Sequence, residues 1–295
     1  MSLSRLDALR ARLELPVVRR ATGLLEGRHR SIFAGHGQDF DELVEYRPGD
    51  DPKDIDWKTS ARAGHPIIKR FQKETNLSIV LAVDTGRSMA ALTPTREVKA
   101  EVAVLLAEVL AWIARSRGDQ VGLVSGDAER IRQIPARQGT EHLETLLRRL
   151  ERDMGPDAPP SDLSRVLQRV LTATGRRSLV VIITDEARPT PANEPDLRRL
   201  RTRHEVVVLA IADLNPAAVT ARDGIVVDVD GGVLPDFLRD DAAIRREAEA
   251  TLAAHAVAVQ GMLRRRGIER GIVTGTDDVV DVLVDVLRRQ RRARR

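Results

Sequence analysis

Four short runs, Leu77 to Val83, Gln120 to Val124, Ser178 to Thr184 and Glu205 to Ile211, are rich in Val, Ile and Leu and carry no polar alternation. A strand wetted on one side alternates, whereas a strand buried on both faces reads as a continuous apolar run. These runs therefore predict a mostly parallel sheet with helices on both faces. The intervening segments fit that requirement. "TPTREVKAEVAVLLAEVLAWIARSRGD" predicts a helix with Thr93 as cap, Pro94 at its first position and Gly118 at its exit. Further helices are predicted over Thr140 to Arg152, Ser161 to Ala173, Asp196 to Thr202, Asp240 to Arg266 and Asp277 to Arg289, and "GIERGIVTG" adds a last strand. The fold class is α/β, a doubly wound sheet with right-handed crossovers.

In such a sheet with strand order 3-2-1-4-5-6, ligands collect where the winding reverses, outside the carboxyl ends of the first and fourth strands. With "IRQIP" counted as the third, antiparallel edge strand, the first strand ends at Asp84 and the fourth at Asp185. Neighbouring strands lie about 4.8 Å apart, so both carboxylates are expected to face one crevice. Hydroxyls are near at hand: Ser88 in "DTGRS", Ser161 where a loop opens a helix, and Thr184 beside Asp185. Paired carboxylates and hydroxyls are hard oxygen donors suited to magnesium, calcium or manganese. The alternative is that both aspartates only accept hydrogen bonds from backbone amides at strand-to-helix turns.

The set Asp84, Gly86, Ser88, Ser161 and Asp185 resembles the metal-ion-dependent adhesion site of the von Willebrand factor A family, whose first motif is D-x-S-x-S. The resemblance implies a degenerate site holding a divalent ion, magnesium above all, whose shell is completed by an acidic side chain of a partner. Gly86 stands where that family has a serine, and on this reading Gly86→Ser restores the missing ligand.

A second motif lies upstream in "GQDFDELVEYRPGDDPKDIDWKTSARAGHPIIKRFQKE". Tyr46, Gly49, Asp50, Asp51, Ile55, Asp56, Trp57, Ser60, Ala61 and Arg62 match a pattern that resembles the bacterial domain of unknown function 58 family, over roughly Gly27 to Ile211. Physically, Asp51 before Pro52 favours extended backbone. Ile55 and Trp57 alternate with Asp54 and Asp56 as on a strand-like segment that clamps onto the main domain. Residues 1–76 are thus expected to form an N-terminal helix and signature extension packing on the core, and residues 77–295 a von Willebrand factor A-like domain with a basic C-terminal helix. The resemblance further implies a partner, a MoxR-type AAA+ ATPase, with this chain as adaptor or co-chaperone.

Composition narrows the other classes. The 295 residues are 42% apolar, and no apolar run approaches the length of about 18 residues that spans a membrane. The amino terminus is amphipathic and charged rather than signal-like, so a cytoplasmic location is expected. With no cysteine there is neither a disulfide nor a thiolate site. The net charge of +4 comes largely from arginine runs, Arg264 to Arg266 and Arg288 to Arg295. Aromatic residues make up only 2%, so base stacking has little to work with and nucleic acid is an unlikely partner. No phosphate loop, H-E-x-x-H or G-x-S-x-G elbow occurs. A D-x-K triplet, Asp56 to Lys58 with Asp50 upstream, leaves a metal-dependent phosphodiesterase or nuclease as the rival reading. Passive nucleic-acid binding by the arginine tail is another.

Overall fold

The computed structural model describes residues 39–47, 50–72, 77–215, 228, 229, 232 and 241–292. The expected N-terminal helix, Gly49 and the last three arginine-tail residues lie outside the described residues. Of the described residues, 39–47 and 50–72 belong to one compact unit and those from Leu77 onward to a second, larger one.

The larger unit is built on a six-stranded sheet. Its strands are β3 (Ser78–Asp84), β4 (Gln120–Gly126), β5 (Ile131–Arg137), β6 (Leu179–Asp185), β7 (Glu205–Ile211) and β8 (Glu269–Val273). They stand in the order β5-β4-β3-β6-β7-β8, which is 3-2-1-4-5-6 within this unit. Every pair is parallel except β4–β5, so "IRQIP" does form the antiparallel edge. β6 and β7 are buried at every position, which explains why their sequences show no alternation.

Among the described residues each face carries three helices. Against one face pack α4 (Leu163–Ala173), α5 (Glu194–Arg203) and α6 (Ala242–Arg265). Val80, Ala82, Val180, Ile182, Val206 and Val208 supply the sheet side of that core, and Val166, Leu167, Leu197, Leu200, Val259 and Leu263 the helix side. Burial of each such valine, leucine or isoleucine side chain contributes about 1.5–3 kcal/mol. On the opposite face lie α2 (Lys99–Arg117), α3 (Thr140–Asp153) and α7 (Val279–Arg292). Local chemistry sets the helix ends: Asp162 caps α4 by accepting from the Arg165 amide at 3.2 Å, and Asp241 caps α6 through the Ala243 amide at 2.7 Å. Gly118 ends α2 in the left-handed conformation at φ 69°.

One helix start differs from expectation. Pro94 does not open α2. Leu92 and Val98 form an antiparallel bridge around a turn in which Arg96 has φ 66°, and the helix begins only at Lys99.

The smaller unit pairs β1 (Asp39–Glu45) with β2 (Ile67–Gln72) in an antiparallel ribbon running from Asp39 opposite Gln72 to Glu45 opposite Ile67. Between the strands come a 3-10 turn, Pro52–Asp54, and a short helix α1 (Trp57–Ala63). Of the strand-like segment expected here only Ile55 and Asp56 pair with β2, through an antiparallel bridge of Ile55 with Ile68 and a 2.8 Å bond from the Asp56 amide to the Ile67 carbonyl, and from Trp57 the chain is helical. Asp51 accepts from the Lys53 amide and caps the turn, while Asp56 accepts from the amides of Lys58 and Thr59 and caps α1. These side-chain bonds hold the backbone in helical turns, and Trp57, placed at the first turn of α1, is 71% exposed rather than packed.

Candidate functional site

β3 delivers Asp84 to the carboxyl edge of the sheet with its side chain fully buried. Its Oδ1 accepts from the Gly86 amide at 2.9 Å, and its Oδ2 accepts from the Thr184 hydroxyl of β6 at 3.2 Å. Strand adjacency therefore brings the two chain-distant motifs together as expected. Past Asp84 the chain forms a 3-10 turn over Arg87–Ala90, and the Ser88 and Ser161 hydroxyls share a hydrogen bond of 2.7 Å. The Ser161 loop is fastened at two points, since the Arg87 amide donates to the Pro159 carbonyl at 2.9 Å and the Ala128 amide to the Pro160 carbonyl at 2.8 Å.

Gly86 has a steric reason. A Cβ at this position would come closer than 3.0 Å to the backbone N, Cα and Oγ of Ser161. The position that carries a serine in the adhesion-site motif is filled here by the Ser161 backbone. Restoring that serine meets a wall, so the expectation that Gly86→Ser supplies the missing ligand is corrected.

Asp185 ends β6, 2% exposed. Its Oδ2 pairs with Nη1 of Arg188 at 2.7 Å, and the Arg188 amide donates to the Asp185 carbonyl at 3.1 Å, closing the turn that aims the side chain back at the crevice. Nε of the same guanidinium lies 4.0 Å from Asp84 Oδ2. Asp185 Oδ1 is buried and has no hydrogen-bond partner among the described residues. Burial pushes the Asp84 carboxyl up from its ordinary value, the Gly86 amide and Arg188 pull it back, Asp185 adds to the rise, and the Ser161 hydroxyl opposes it.

A neighbouring charge cluster went unforeseen. Lys99, at the first turn of α2, is 1% exposed and pairs with Asp213, which follows β7. The Asp213 amide donates to Glu186 Oε2 at 3.2 Å, and Nη2 of the buried Arg270 donates to the Glu186 carbonyl at 2.7 Å. Burial raises the Asp213 carboxyl above its ordinary value, with Lys99 opposing and Asp185 and Glu186 reinforcing the rise. The only sequence signal for Arg188 was its place three residues after Asp185 in "TDEARP". Lys99 gave none, because a lysine in the first turn of an amphipathic helix reads as solvated.

Of the sequence-derived set, Asp84, Gly86, Ser88, Ser161 and Asp185 converge. A divalent ion there would have to share both carboxylates with a guanidinium already within ion-pair range of each. With Arg188 in this position the arrangement does not fit such an ion. Among the described residues no group of three or more His, Cys, Asp or Glu is disposed to hold a metal.

The signature residues belong to the smaller unit and work locally. The Tyr46 amide donates to the Pro66 carbonyl at 2.9 Å, and Asp50 accepts from the Arg47 amide at 2.9 Å. Asp56 also accepts from the Thr59 hydroxyl at 2.9 Å. The Ser60 hydroxyl accepts from the Ile67 amide at 2.8 Å, tying α1 to β2, and Arg62 is exposed near the end of α1. Both Asp56 oxygens of the nuclease-like triplet are engaged in capping α1. In the arginine tail, Arg289 is likewise used, pairing with Asp285 at 2.9 Å and Glu269 at 3.1 Å. No helix among the described residues is long and apolar enough to cross a membrane.

Comparison with known proteins follows the same lines. The family described as "Protein of unknown function DUF58" matches residues 42–258. Uncharacterized proteins of Mycobacterium tuberculosis and Mycobacterium bovis are 32% identical over 288 residues, covering 95% of this chain and 89% of each of them. Among solved structures, an aerotolerance-related membrane protein from Bacteroides fragilis is similar over 72% of this chain and 99% of its own, at 15% identity and a TM-score of 0.46. A von Willebrand factor type A protein from Catenulispora acidiphila is similar over 75% of this chain and 43% of its own, at 12% identity and a TM-score of 0.41. The larger unit is a six-stranded, mostly parallel α/β sheet flanked by helices, and the chain belongs to the domain of unknown function 58 family.

Proposed function

We propose that this chain is a non-enzymatic protein-interaction module acting in the cytoplasm, and that its docking point is the crevice at the carboxyl edge of the sheet. The observation that carries the reading is the convergence there of Asp84, Ser88, Ser161, Asp185 and Arg188 from three separate stretches of chain. Hydroxyls and guanidinium donors at one rim suit an acidic side chain of a partner. The partner we assign is a MoxR-type AAA+ ATPase, with this chain as its adaptor or co-chaperone. That assignment rests on the family resemblance alone.

The test is capture of a purified MoxR-type ATPase from the same genome by the immobilised full chain. Wild type should retain it, and Ser161→Asp, which places a like charge at the rim, should lose at least tenfold. Equal capture by both, or none by either, sinks the reading. Hydrolysis of labelled nucleic acid by the wild-type chain that is lost in Asp84→Asn would replace it with the enzyme reading.

A further inference from the structure

The crevice already contains a cation. Arg188 sits on the turn directly after β6, and its Nη1 lies 2.7 Å from Asp185 Oδ2 while its Nε lies 4.0 Å from Asp84 Oδ2. One positive group thus stands between the two carboxylates that would otherwise be the anionic ligands of a divalent ion. The placement is built into the backbone, because the Arg188 amide closes the 185–188 turn on the Asp185 carbonyl. The side chain is 26% exposed, so the guanidinium is neither sealed in nor free in solvent. A guanidinium carries five N–H donors in a planar fork, and the bond to Asp185 uses one.

We propose that Arg188 takes the place of the divalent ion: its guanidinium holds Asp84 and Asp185 together and presents its outward N–H donors to the acidic group of the partner, so that recognition needs no metal. The proposal rests on the interaction reading for its partner half, and on the crevice geometry alone for its cation half. Planar, two-point binding of a carboxylate is what a guanidinium does and what a magnesium ion does not do. The Ser88 and Ser161 hydroxyls, 2.7 Å from each other, lie on the same rim.

The cation half is tested on the purified full chain, with magnesium and manganese as the probes. Melting in a chelator and in millimolar magnesium should give the same midpoint for wild type. Arg188→Ala, which leaves two carboxylates and two hydroxyls without their cation, should gain about 5–10 °C when magnesium reaches a hundred times its dissociation constant. Should that variant fail to fold, Arg188→Gln is used, with bound manganese read by electron paramagnetic resonance. Bound manganese is expected in the variant and not in wild type. A magnesium-dependent rise in the wild-type midpoint that Asp84→Asn abolishes overturns the proposal, as does the lack of any metal response in both Arg188 variants.

The partner half is read by ATPase capture, where Arg188→Gln should lose at least tenfold. Capture unchanged by that substitution also overturns it. Failure of wild type to capture the ATPase at all defeats the interaction reading instead. The two failures are told apart because the metal measurements need no partner.

Discussion

Replacing Gly86 by serine, or simply by alanine, tests the geometry on which the crevice depends. The new Cβ would come closer than 3.0 Å to Ser161 N, Cα and Oγ, where ordinary contact begins at 3.4 Å. Relief requires the Ser161 loop to retreat by about 1 Å in a densely packed rim. Overpacking of this kind costs about 1–3 kcal/mol, and an obstacle made of backbone rather than a flexible side-chain tip places the cost near 3 kcal/mol. With a urea slope of about 3 kcal/mol/M, the midpoint should fall by about 1 M. Fluorescence is a suitable probe: of the two tryptophans, Trp57 is 71% exposed, whereas Trp112 lies partly buried on α2 and reports on the larger unit. Gly155→Ala is the internal control, since its Cβ would meet nothing within 4 Å and its φ lies outside the left-handed region. It should be neutral or gain about 0.4–1 kcal/mol. Ser161→Gly in the Gly86→Ser background should not rescue, because the N and Cα that obstruct remain. A Gly86→Ser midpoint within about 0.2 M of wild type, or full rescue by Ser161→Gly, would refute the close approach of these two segments.

Three more outcomes follow from buried polar groups. His204 is 1% exposed with neither ring nitrogen hydrogen-bonded among the described residues, and burial, followed by Arg203 and Arg177, pulls its pKa below the ordinary 6.5. Between the folded-state value and 6.5 the unfolded chain binds the proton first, so stability falls as pH drops through that window; His204→Leu, which also removes two unsatisfied buried nitrogens, should stabilise by about 1–3 kcal/mol and flatten the acid side of a stability–pH curve measured by denaturant titration. The Lys99–Asp213 pair is asymmetric in exposure, at 1% and 45%. Asp213→Ala, which strands the buried ammonium, should cost about 3–5 kcal/mol, while Lys99→Met should cost far less, and equal melting of the two variants would contradict this account. In the smaller unit, Ser60→Ala removes the hydroxyl that receives the Ile67 amide and should cost about 1–3 kcal/mol locally, visible as faster amide exchange over 56–72 with residues 77–215 unchanged.

The four central strands were legible because burial on both faces leaves a mark that no exposed segment mimics, as the fully buried β6 and β7 illustrate, whereas the ribbon of β1 and β2 carries no such mark and went unpredicted. The meeting of Asp84 and Asp185 was legible for a topological reason, since strand order alone makes their strands neighbours. What escaped was set by side chains acting on their own backbone. Asp51 and Asp56 turned an alternating stretch into a 3-10 turn and a helix, and the Leu92–Val98 bridge moved the start of α2 past Pro94. Arg188 and Lys99 escaped for a different reason. A charged residue reads as solvated until a partner fixed by tertiary structure, here Asp185 or Asp213, is known.

The two prolines of the Ser161 loop restrict where this chain can lengthen. Proline has no amide hydrogen, so Pro159 and Pro160 only accept, and each carbonyl is claimed by a different segment, Arg87 beyond β3 and Ala128 beyond β4. A residue inserted between Pro159 and Ser161 would throw one acceptor out of step with the other. Between Pro156 and Asp157, both exposed, the same insertion has open water to bulge into. Natural and engineered length changes should therefore gather on the upstream side of the proline pair, leaving the spacing from Pro159 to Ser161 untouched.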